Sequence, residues 1–483
     1  INFRIFYHFF NFRKIRMLLL FNFSCVMVFL SLILLVSILE SQRIGGPTYT
    51  GVSFKDHGYY ETTIETQIQA DSFRGISENI EIDFFYPHNG AQFVVGETVK
   101  FLVKPEDKST MDFFCDSMEF VITSENKLDK LIQNEFDGKK GRSVGFNFNV
   151  YHTLQEQFAY LDGLADIPGV TVSSIGNSVE LRKLYKISIG NDSLPKIVVD
   201  CGIHAREWAA HAWINGYETN SVNWIIYPNL NPDGYLHTWT SYRYWRKNRA
   251  SNLPQSTCIG VDLNRNYDIE WMNAGTSNSP CSDIYGGPSA FSEPESQAHR
   301  DDMLAMDKKL AYLTYHAYSQ FIIYPYSSSY AAEAWNKVEL DTVAKAMVDT
   351  ISDTTGAYYE YGEGAPSFYP ASGGSDDWSH NDSGANVPIS LTIELRDRGQ
   401  YGFALPESQL EDMFIENLAA LRVRNHSLPP SDTEIIKTAY DHVAPGGSCN
   451  PANLESIGCP SDATCTYQLS ILIFISTILI ILV

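Results

Sequence analysis

Short apolar runs bounded by turn residues recur between about residues 143 and 428. Four of them read KIVVDCGI, NWIIYPNL, LAYLTYHAY and PISLTIELRD. Stretches with helical periodicity lie between several of these runs, among them YHTLQEQFAYLDGLA and AAEAWNKVELDTVAKAMVDTI. Buried strands that alternate with helices are typical of an α/β sheet covered on both faces. We therefore predict an α/β domain over residues 143–428, with a mixed, mostly parallel central sheet and helices on both faces.

A smaller unit precedes this domain, at residues 48–137. Its segments ENIEIDFFYP and ETVKFLVKP alternate apolar and polar positions, which predicts strands, and a mixed strand and helix pattern follows them. We predict a small α+β domain here. Residues 138–142 then carry Lys139, Lys140 and Arg142 in a polar, glycine-containing stretch, which predicts an exposed loop that a trypsin-like protease could cut. A simple basic linker is the alternative interpretation.

Both ends of the chain are strongly apolar. Residues 1–41 contain MLLLFNFSCVMVFLSLILLVSIL after three basic residues, which is typical of a secretory signal cleaved near Ser41. An uncleaved signal anchor is the alternative. Residues 429–468 are rich in Pro, Ser and Cys and predict a stalk or a small disulfide knot. The uncharged segment 469–483 predicts membrane attachment, either as the signal for a glycolipid anchor or as a tail anchor that stays in the bilayer.

The composition agrees with a folded, secreted protein. Hydrophobic residues make up 44% of the 483 residues and aromatic residues 13%, which excludes disorder as the dominant state. The net charge of −22 argues against nucleic-acid binding, because a phosphate backbone would be repelled. Eight cysteines and the glycosylation sequons at Asn191, Asn381 and Asn425 fit an extracellular, oxidising environment.

Three of the predicted strands end at residues that can bind a metal or carry a proton. His204 follows KIVVDCGI, with Glu207 three residues later, while His316 follows LAYLTY and Glu394 follows PISLTI. The carboxyl ends of strands in open α/β sheets are where such proteins place their sites. A single histidine at a strand end is more often structural than functional. Three such strand ends in one domain predict a functional site.

Seven motifs occur in order along residues 143–428: HAREW, NPDGY, WRKNR, GVDLNRNYD, HAYSQ, YPASGGSDDW and ELRDRGQYGF. In these motifs the chain resembles the zinc metallocarboxypeptidases of the pancreatic A and B type, and residues 48–137 resemble the activation segment of that family. The resemblance implies a monomeric enzyme that removes residues from peptide or protein C-termini. It also implies a zymogen that a trypsin-like protease activates by cleavage.

The resemblance further implies which residues form the site. One Zn²⁺ per chain would be bound by His204, Glu207 and His316, a set that leaves a fourth position for water. Glu394 matches the family's general base, and Arg246 matches the group that stabilises the developing oxyanion. The remaining matches are Asn264 and Arg265 as the clamp for the terminal carboxylate, Tyr369 as the mobile tyrosine, Arg206 and Tyr318 as outer-subsite residues, and Cys258 with Cys281 as a disulfide. A role in packing or solvation alone is the alternative for Arg206 and Tyr318.

Asp376 in SGGSDDW matches the base of the family's specificity pocket. A carboxylate at this position can pair with a C-terminal Lys or Arg and would be unfavourable to bury otherwise. Ser327 and Gly364 match positions that are small in the basic-specific members, so the pocket resembles that of carboxypeptidase B. We expect the neighbouring Asp377 to support the pocket loop. A solvated surface charge is the alternative interpretation of Asp376.

The chain departs from the family pattern after HAREW. The segment HAREWAAHAWINGYETN runs almost directly into SVNWIIYPNLNPDGY, so about one short helix and its loop are absent. In addition, SVELRKL replaces the usual Glu-Gly-Arg turn. The first departure suggests an alternative function, namely a catalytically impaired family member that binds peptides. A different chemistry, such as deacylation or cleavage of amidated substrates, is a second alternative, against which the terminal-carboxylate clamp argues.

Overall fold

The computed structural model describes most of the two predicted domains. The described residues are 57–77, 80, 82–86, 93–122, 146–212, 222–251, 253, 256–329 and 332–421. Outside them lie the predicted signal, cleavage loop, stalk and hydrophobic tail, and most of the segment that follows HAREW (213–221). Within the described ranges, no helix combines the length and the apolarity that crossing a membrane requires.

Strands and helices alternate along much of the chain, as the apolar pattern predicts. The strands are β1 (Gly58–Thr63), β2 (Ile82–Tyr86), β3 (Thr98–Val103), β4 (Val170–Asn177), β5 (Lys183–Ile189), β6 (Lys196–Cys201), β7 (Asn223–Tyr227), β8 (Lys309–Ala317), β9 (Phe321–Tyr324), β10 (Glu360–Glu363) and β11 (Ile389–Leu395). The α-helices are α1 (Gln67–Ser77), α2 (Lys108–Ser117), α3 (Leu154–Gly163), α4 (Trp208–Ala212), α5 (Pro232–Thr240), α6 (Pro294–Ala305), α7 (Lys337–Thr355), α8 (Gly364–Ser367), α9 (Ser375–His380) and α10 (Leu410–Leu421).

The N-terminal elements form a small α+β unit with a core of its own. Strands β1, β3 and β2 make an antiparallel sheet in that order, and Phe73 of α1 packs its ring 5.3 Å from that of Phe101 on β3. The unit also contacts the larger part of the chain. The ammonium group of Lys104 lies 5.6 Å from the ring centroid of Tyr242 and 5.5 Å from that of Trp245. Cation–π contacts of this kind are attractive and tie the end of β3 to the larger unit.

The central sheet has eight strands in the order β10-β9-β11-β8-β6-β7-β5-β4. Four of its neighbouring pairs are parallel, namely β10 with β9, β11 with β8, β8 with β6 and β6 with β7. The other three pairs are antiparallel. The predicted fold class, a mixed and mostly parallel sheet in an α/β protein, is therefore confirmed.

Both faces of this sheet are buried, which explains the continuous apolar runs of its central strands. On β6, Ile197 and Val199 join one hydrophobic core, which also includes residues of α7 and α10. Val198 points the other way and joins a second core with Met303 of α6 and Trp378 of α9. Because successive side chains of a strand point to opposite faces, a strand between two cores needs apolar residues at every position.

On the face that α6 and α9 cover, the central strands become polar towards their carboxyl ends. Their register places Asp200 beside Thr314, and Thr314 beside Thr392, so that these three residues form one row across the sheet. His316 and Glu394, two residues further along β8 and β11, are paired in the next row. Side chains two residues apart share a face, so both rows lie on the same side of the sheet.

The turn before β5 holds a leucine in a left-handed backbone conformation. Leu181 has φ = 64° and its side chain is 81% exposed. This is the middle residue of the segment that replaces the Glu-Gly-Arg turn. The left-handed region costs a residue with a Cβ atom about 1–2 kcal/mol, whereas glycine adopts it readily.

We therefore expect Leu181→Gly to raise the free energy of unfolding by about 1 kcal/mol, since no buried contact is lost. Urea denaturation followed by tryptophan fluorescence measures this change. Leu304 in α6 is 53% exposed and has a helical backbone, so Leu304→Gly is a matched control, with an expected loss of about 0.5–1 kcal/mol. Equal losses in both variants would contradict the interpretation.

Candidate metal centre and cleft

His204, Glu207 and His316 converge at the carboxyl ends of β6 and β8. The prediction that His316 and Glu394 follow their strands is wrong in one respect, because they are the second-last residues of β8 and β11. One potential ligand atom from each residue lies within 4.8 Å of the others, and all three side chains are buried. Nδ1 of His204 is 2.7 Å from Oε1 of Glu207, and Nδ1 of His316 is 3.0 Å from Oε2 of the same carboxylate. Two imidazole nitrogens and one carboxylate are the donor set of a catalytic zinc site, so these residues fit the predicted Zn²⁺.

A tight turn after β6 brings two of these ligands together. Gly202 has φ = 67°, and a Cβ atom there would lie 2.1 Å from the ring of His211, so the turn requires glycine. Helix α4 begins at Trp208, so Glu207 lies in the turn just before the helix rather than inside it. Its backbone N–H donates a hydrogen bond to the carbonyl of His204 at 3.4 Å. The local turn therefore sets the spacing of the two ligands.

Asp262 is a site residue that the sequence patterns did not single out. Its Oδ1 lies 3.1 Å from Nε2 of His204, while its Oδ2 accepts hydrogen bonds from Nε and Nη2 of Arg246 at 3.0 and 2.8 Å. Burial alone would raise the pKa of Asp262, but Arg246 and His204 hold it well below its usual range. An ionised carboxylate here orients both the histidine ring and the guanidinium group. The available signal was its position two residues before Asn264 in GVDLNRN.

Glu394 lies next to the metal ligands but outside the set that converges. It is paired with His316 across β11 and β8, and its side chain is 9% exposed. Burial raises the pKa of Glu394 to about 8, the charge of Glu207 adds to the rise and that of His316 opposes it. A carboxyl group that titrates near neutrality is suited to take up and release a proton.

These groups line one cleft of about 560 Å³. The structure brings ten of the predicted site residues to its walls: His204, Glu207, His316, Glu394, Arg246, Asn264, Arg265, Tyr369, Asp376 and Ser327. Gly364 borders Ser327, since a Cβ atom at position 364 would lie 1.9 Å from the Ser327 hydroxyl oxygen. Any larger residue at 364 would therefore displace this part of the wall.

Arg206 and Tyr318 lie apart from the cleft walls. Arg206 is fully buried, donates to Oδ2 of Asp283 at 3.0 Å, and places its guanidinium carbon 4.5 Å from the ring centroid of Phe403. Tyr318 is also buried, and its ring centroid is 5.1 Å from that of Phe403. In this structure both residues pack against Phe403, and their role in outer subsites stays a prediction.

Asn264 and Arg265 belong to a short 3₁₀ helix, Leu263–Arg265, that follows Asp262. Oδ1 of Asn264 accepts a hydrogen bond from the backbone N–H of Ser375 at 2.8 Å. Arg265 donates from Nε to the carbonyl of Gly275 and from Nη1 to the carbonyl of Asn264, both at 2.8 Å. Its buried Nη2 has no hydrogen-bond partner within the described part of the chain. A buried donor of this kind is unfavourable unless a ligand, such as a carboxylate, accepts from it.

Asp376 is buried, with 4% of its surface exposed, so it is not a solvated surface charge. Its Oδ2 accepts a hydrogen bond from the hydroxyl of Thr392 at 2.9 Å. Among the described residues, no Lys or Arg forms an ion pair with it. The cleft wall therefore presents a carboxylate to which no cationic side chain of the described ranges is paired.

Asp377 holds the adjoining wall, as expected from the sequence. Both of its oxygens accept from the backbone N–H of Ser327 at 3.0 Å, and Oδ2 also accepts from that of Ser328 at 2.7 Å. Burial, together with the charge of Asp376, raises the pKa of Asp377 to about 8. Its hydrogen bonds keep the backbone of Ser327 beside the cleft.

A disulfide between Cys258 and Cys281 closes the loop that contains Asp262, Asn264 and Arg265. The two cysteines are 23 residues apart in sequence. Two further cysteines of the described residues, Cys115 and Cys201, are buried thiols.

A buried His-Glu-His set beside a carboxyl group and a guanidinium group, at the carboxyl edge of an α/β sheet, defines a zinc-dependent hydrolase. Comparisons with known proteins agree with this class. A family model described as zinc carboxypeptidase (peptidase M14) matches residues 158–216 and 218–420. The chain belongs to the zinc carboxypeptidase family, and it is a metallocarboxypeptidase that uses zinc and acts on peptide C-termini.

Similar proteins include carboxypeptidases B from two animals. The chain is 35% identical over 417 residues to carboxypeptidase B of Homo sapiens, covering 81% of this chain and 97% of that protein. It is 42% identical over 279 residues to carboxypeptidase B of Astacus astacus, covering 54% and 91% respectively. Among solved structures, that of thrombin activatable fibrinolysis inhibitor matches with a TM-score of 0.68 at 30% identity, covering 80% of this chain and 99% of that one.

Proposed function

We propose that this enzyme removes C-terminal Lys or Arg from peptides or proteins. The observation that carries the proposal is the buried carboxylate of Asp376 in the cleft wall, without a cationic partner among the described residues. A buried, unpaired carboxylate is destabilising by several kcal/mol, and a cationic substrate side chain would offset that cost. The similarity to two carboxypeptidases B supports the same preference.

Each remaining group of the cleft has a part in this hydrolysis. When bound, Zn²⁺ supplies Lewis acidity and lowers the pKa of a coordinated water. Glu394 takes the proton of the attacking water and passes it to the leaving amine. Arg246, whose Nε and Nη2 are held by Asp262, stabilises the negative charge that develops on the carbonyl oxygen. Asn264 and Arg265 hold the terminal carboxylate, and Tyr369 closes on the substrate.

The proposal includes a secreted zymogen. Residues 48–137 would act as the activation segment, and a trypsin-like protease would cut within residues 138–142. The contacts of Lys104 with Tyr242 and Trp245 support a first unit that docks on the larger one. Secretion through residues 1–41, and membrane attachment through residues 469–483, belong to the same proposal.

The test is turnover by the full chain after limited trypsin treatment. Matched peptides that end in Arg and in Phe are compared, each with and without a zinc chelator. Chelator-sensitive release of Arg, with Phe released poorly, is the expected result. Preferred release of Phe would retain the zinc chemistry and contradict the assignment of Asp376. A folded, zinc-loaded protein that binds peptides without turnover would favour the impaired family member instead.

The terminal-carboxylate clamp gives a separate prediction. Amidation of the C-terminus removes the charge that Nη2 of Arg265 would bind, so we expect kcat/KM for an Arg-ending peptide to fall about 100-fold. Steady-state hydrolysis of the free acid and the amide measures the ratio. In Arg265→Gln the two substrates should be cleaved at similar, low rates. Equal turnover of acid and amide by the unaltered enzyme would favour an enzyme for amidated substrates.

A further inference from the structure

We propose that Asp200, acting through the hydroxyl of Thr314, positions the metal ligand His316 and thereby strengthens zinc binding. The proposal depends on the zinc chemistry of the family and not on the preference for basic residues. It concerns residues behind the ligand, which do not reach the substrate.

The two ring nitrogens of His316 face different surroundings. Nδ1 faces the other ligands, at 3.1 Å from Nδ1 of His204 and 3.0 Å from Oε2 of Glu207. Nε2 lies 3.2 Å from the hydroxyl oxygen of Thr314. A neutral imidazole has one acceptor nitrogen and one N–H donor. If Nδ1 binds the metal, Nε2 carries the proton, and its N–H donates a hydrogen bond to the hydroxyl oxygen of Thr314.

The hydroxyl of Thr314 has its own acceptor. It donates a hydrogen bond to Oδ1 of Asp200 at 2.7 Å, and both side chains are fully buried. The register of β6 and β8 places these two residues side by side. The chain of hydrogen bonds therefore runs from the imidazole through the hydroxyl to a carboxylate, and the sheet backbone keeps it in place.

The other histidine ligand, His204, also contacts a carboxylate through its second ring nitrogen, but without a hydroxyl between the two groups. Nε2 of His204 lies 3.1 Å from Oδ1 of Asp262, with nothing between them. Histidines that bind metals usually donate their second N–H to a carboxylate or carbonyl, which fixes the tautomer and the ring orientation and raises the basicity of the ligand. Each histidine of this site thus has a carboxylate behind it, directly for His204 and through Thr314 for His316.

The apolar pattern of β6 does not explain why residue 200 is an aspartate. Asp200 interrupts KIVVDC, between Val199 and Cys201, at a position where the second core would accept an apolar side chain. Its second oxygen accepts from the hydroxyl of Tyr312, and no Lys or Arg within the described ranges forms an ion pair with it. A fully buried carboxylate held by two hydroxyls is unfavourable for folding alone, which supports a role at the metal centre.

The two hydroxyls on Asp200 provide a matched pair of variants. Thr314→Val removes the hydrogen bonds to both His316 and Asp200 and preserves the shape of the side chain. Tyr312→Phe removes one hydrogen bond from the same carboxylate but leaves the path to His316 intact. Thr314→Ser retains the hydroxyl and should restore the function. Zinc affinity is measured in the full chain by competition with a chromophoric chelator, and Co²⁺-substituted protein reports the ligand geometry by its visible spectrum.

We expect Thr314→Val to weaken zinc binding by about 10–100-fold and to shift the Co²⁺ spectrum. Thr314→Ser and Tyr312→Phe should each remain within about threefold of the unaltered protein. The proposal is overturned if Thr314→Val binds zinc normally, or if Tyr312→Phe loses as much affinity as Thr314→Val. If Thr314→Val does not fold, Asp200→Asn replaces it, with the same expected loss and the same contradicting outcomes.

Discussion

Replacing Glu394 by Gln should lower kcat for a peptide that ends in Arg by about 10³–10⁴-fold and leave KM nearly unchanged. The amide has the size of the carboxyl group but cannot take a proton from the attacking water. Because Glu394 lies outside the set of atoms that converge on the metal, the variant should bind zinc as the unaltered enzyme does. Steady-state kinetics on the trypsin-activated protein measures the effect, and metal analysis verifies the zinc content.

Glu295 provides the control for this substitution. It is another buried carboxyl group whose pKa burial raises to about 8, and it lies outside the cleft. Glu295→Gln should therefore leave kcat unchanged. A Glu394→Gln enzyme that is fully loaded with zinc and remains within tenfold of normal activity would exclude Glu394 as the main proton carrier.

The second large effect concerns substrate preference. Asp376→Asn should lower kcat/KM for a peptide that ends in Arg by about 10³-fold, since loss of one partner from a buried ion pair costs about 3–5 kcal/mol. For a matched peptide that ends in Phe, kcat/KM should rise, because the unpaired carboxylate no longer opposes an apolar side chain. The ratio of the two values is the measurement.

A Glu363 variant is the control for Asp376→Asn. It tests whether the preference for Arg comes from a specific ion pair with Asp376 or from acidic charge near the pocket in general. Glu363 precedes Gly364, is buried, and forms an ion pair with Lys337 at 2.8 Å. Glu363→Gln should preserve the preference for Arg. If this variant shifts the preference as strongly as Asp376→Asn does, or if Asp376→Asn still prefers Arg, the assignment of Asp376 to the pocket base is wrong.

The zinc ligands could be found from the sequence because His204 and His316 adjoin recognisable apolar runs and Glu207 comes three residues after His204. His204 lies three residues after the end of β6 and His316 is the second-last residue of β8, and the carboxyl ends of these parallel neighbours share an edge of the sheet. The fold class was accessible for the same reason, since a strand buried on both faces has no polar alternation. Asp376 stood out within a motif, and its burial then excluded a surface role.

The carboxylates that support the histidine ligands, Asp262 and Asp200, could not be found from apolar runs. Asp262 is 58 residues from His204 in sequence, and Asp200 is 114 residues from Thr314. Such contacts depend on which strands are neighbours and on their register, and neither follows from local periodicity. The choice between an outer-subsite role and packing for Arg206 stayed open for a related reason, because Asp283 and Phe403, which surround it, come from distant segments.

The Cys258–Cys281 disulfide restricts the conformations of the unfolded chain in the segment that forms the clamp for the substrate's carboxylate. Closing a loop of this length removes conformational entropy from the unfolded state and stabilises the native state by about 3 kcal/mol. That loop contains Asp262, Asn264 and Arg265, whereas His204, Glu207 and His316 lie outside it. Reduction of this bond would therefore lower the free energy of unfolding of a native state in which the loop supplies the clamp for the substrate's carboxylate and, through Asp262, supports both Arg246 and the ring of His204.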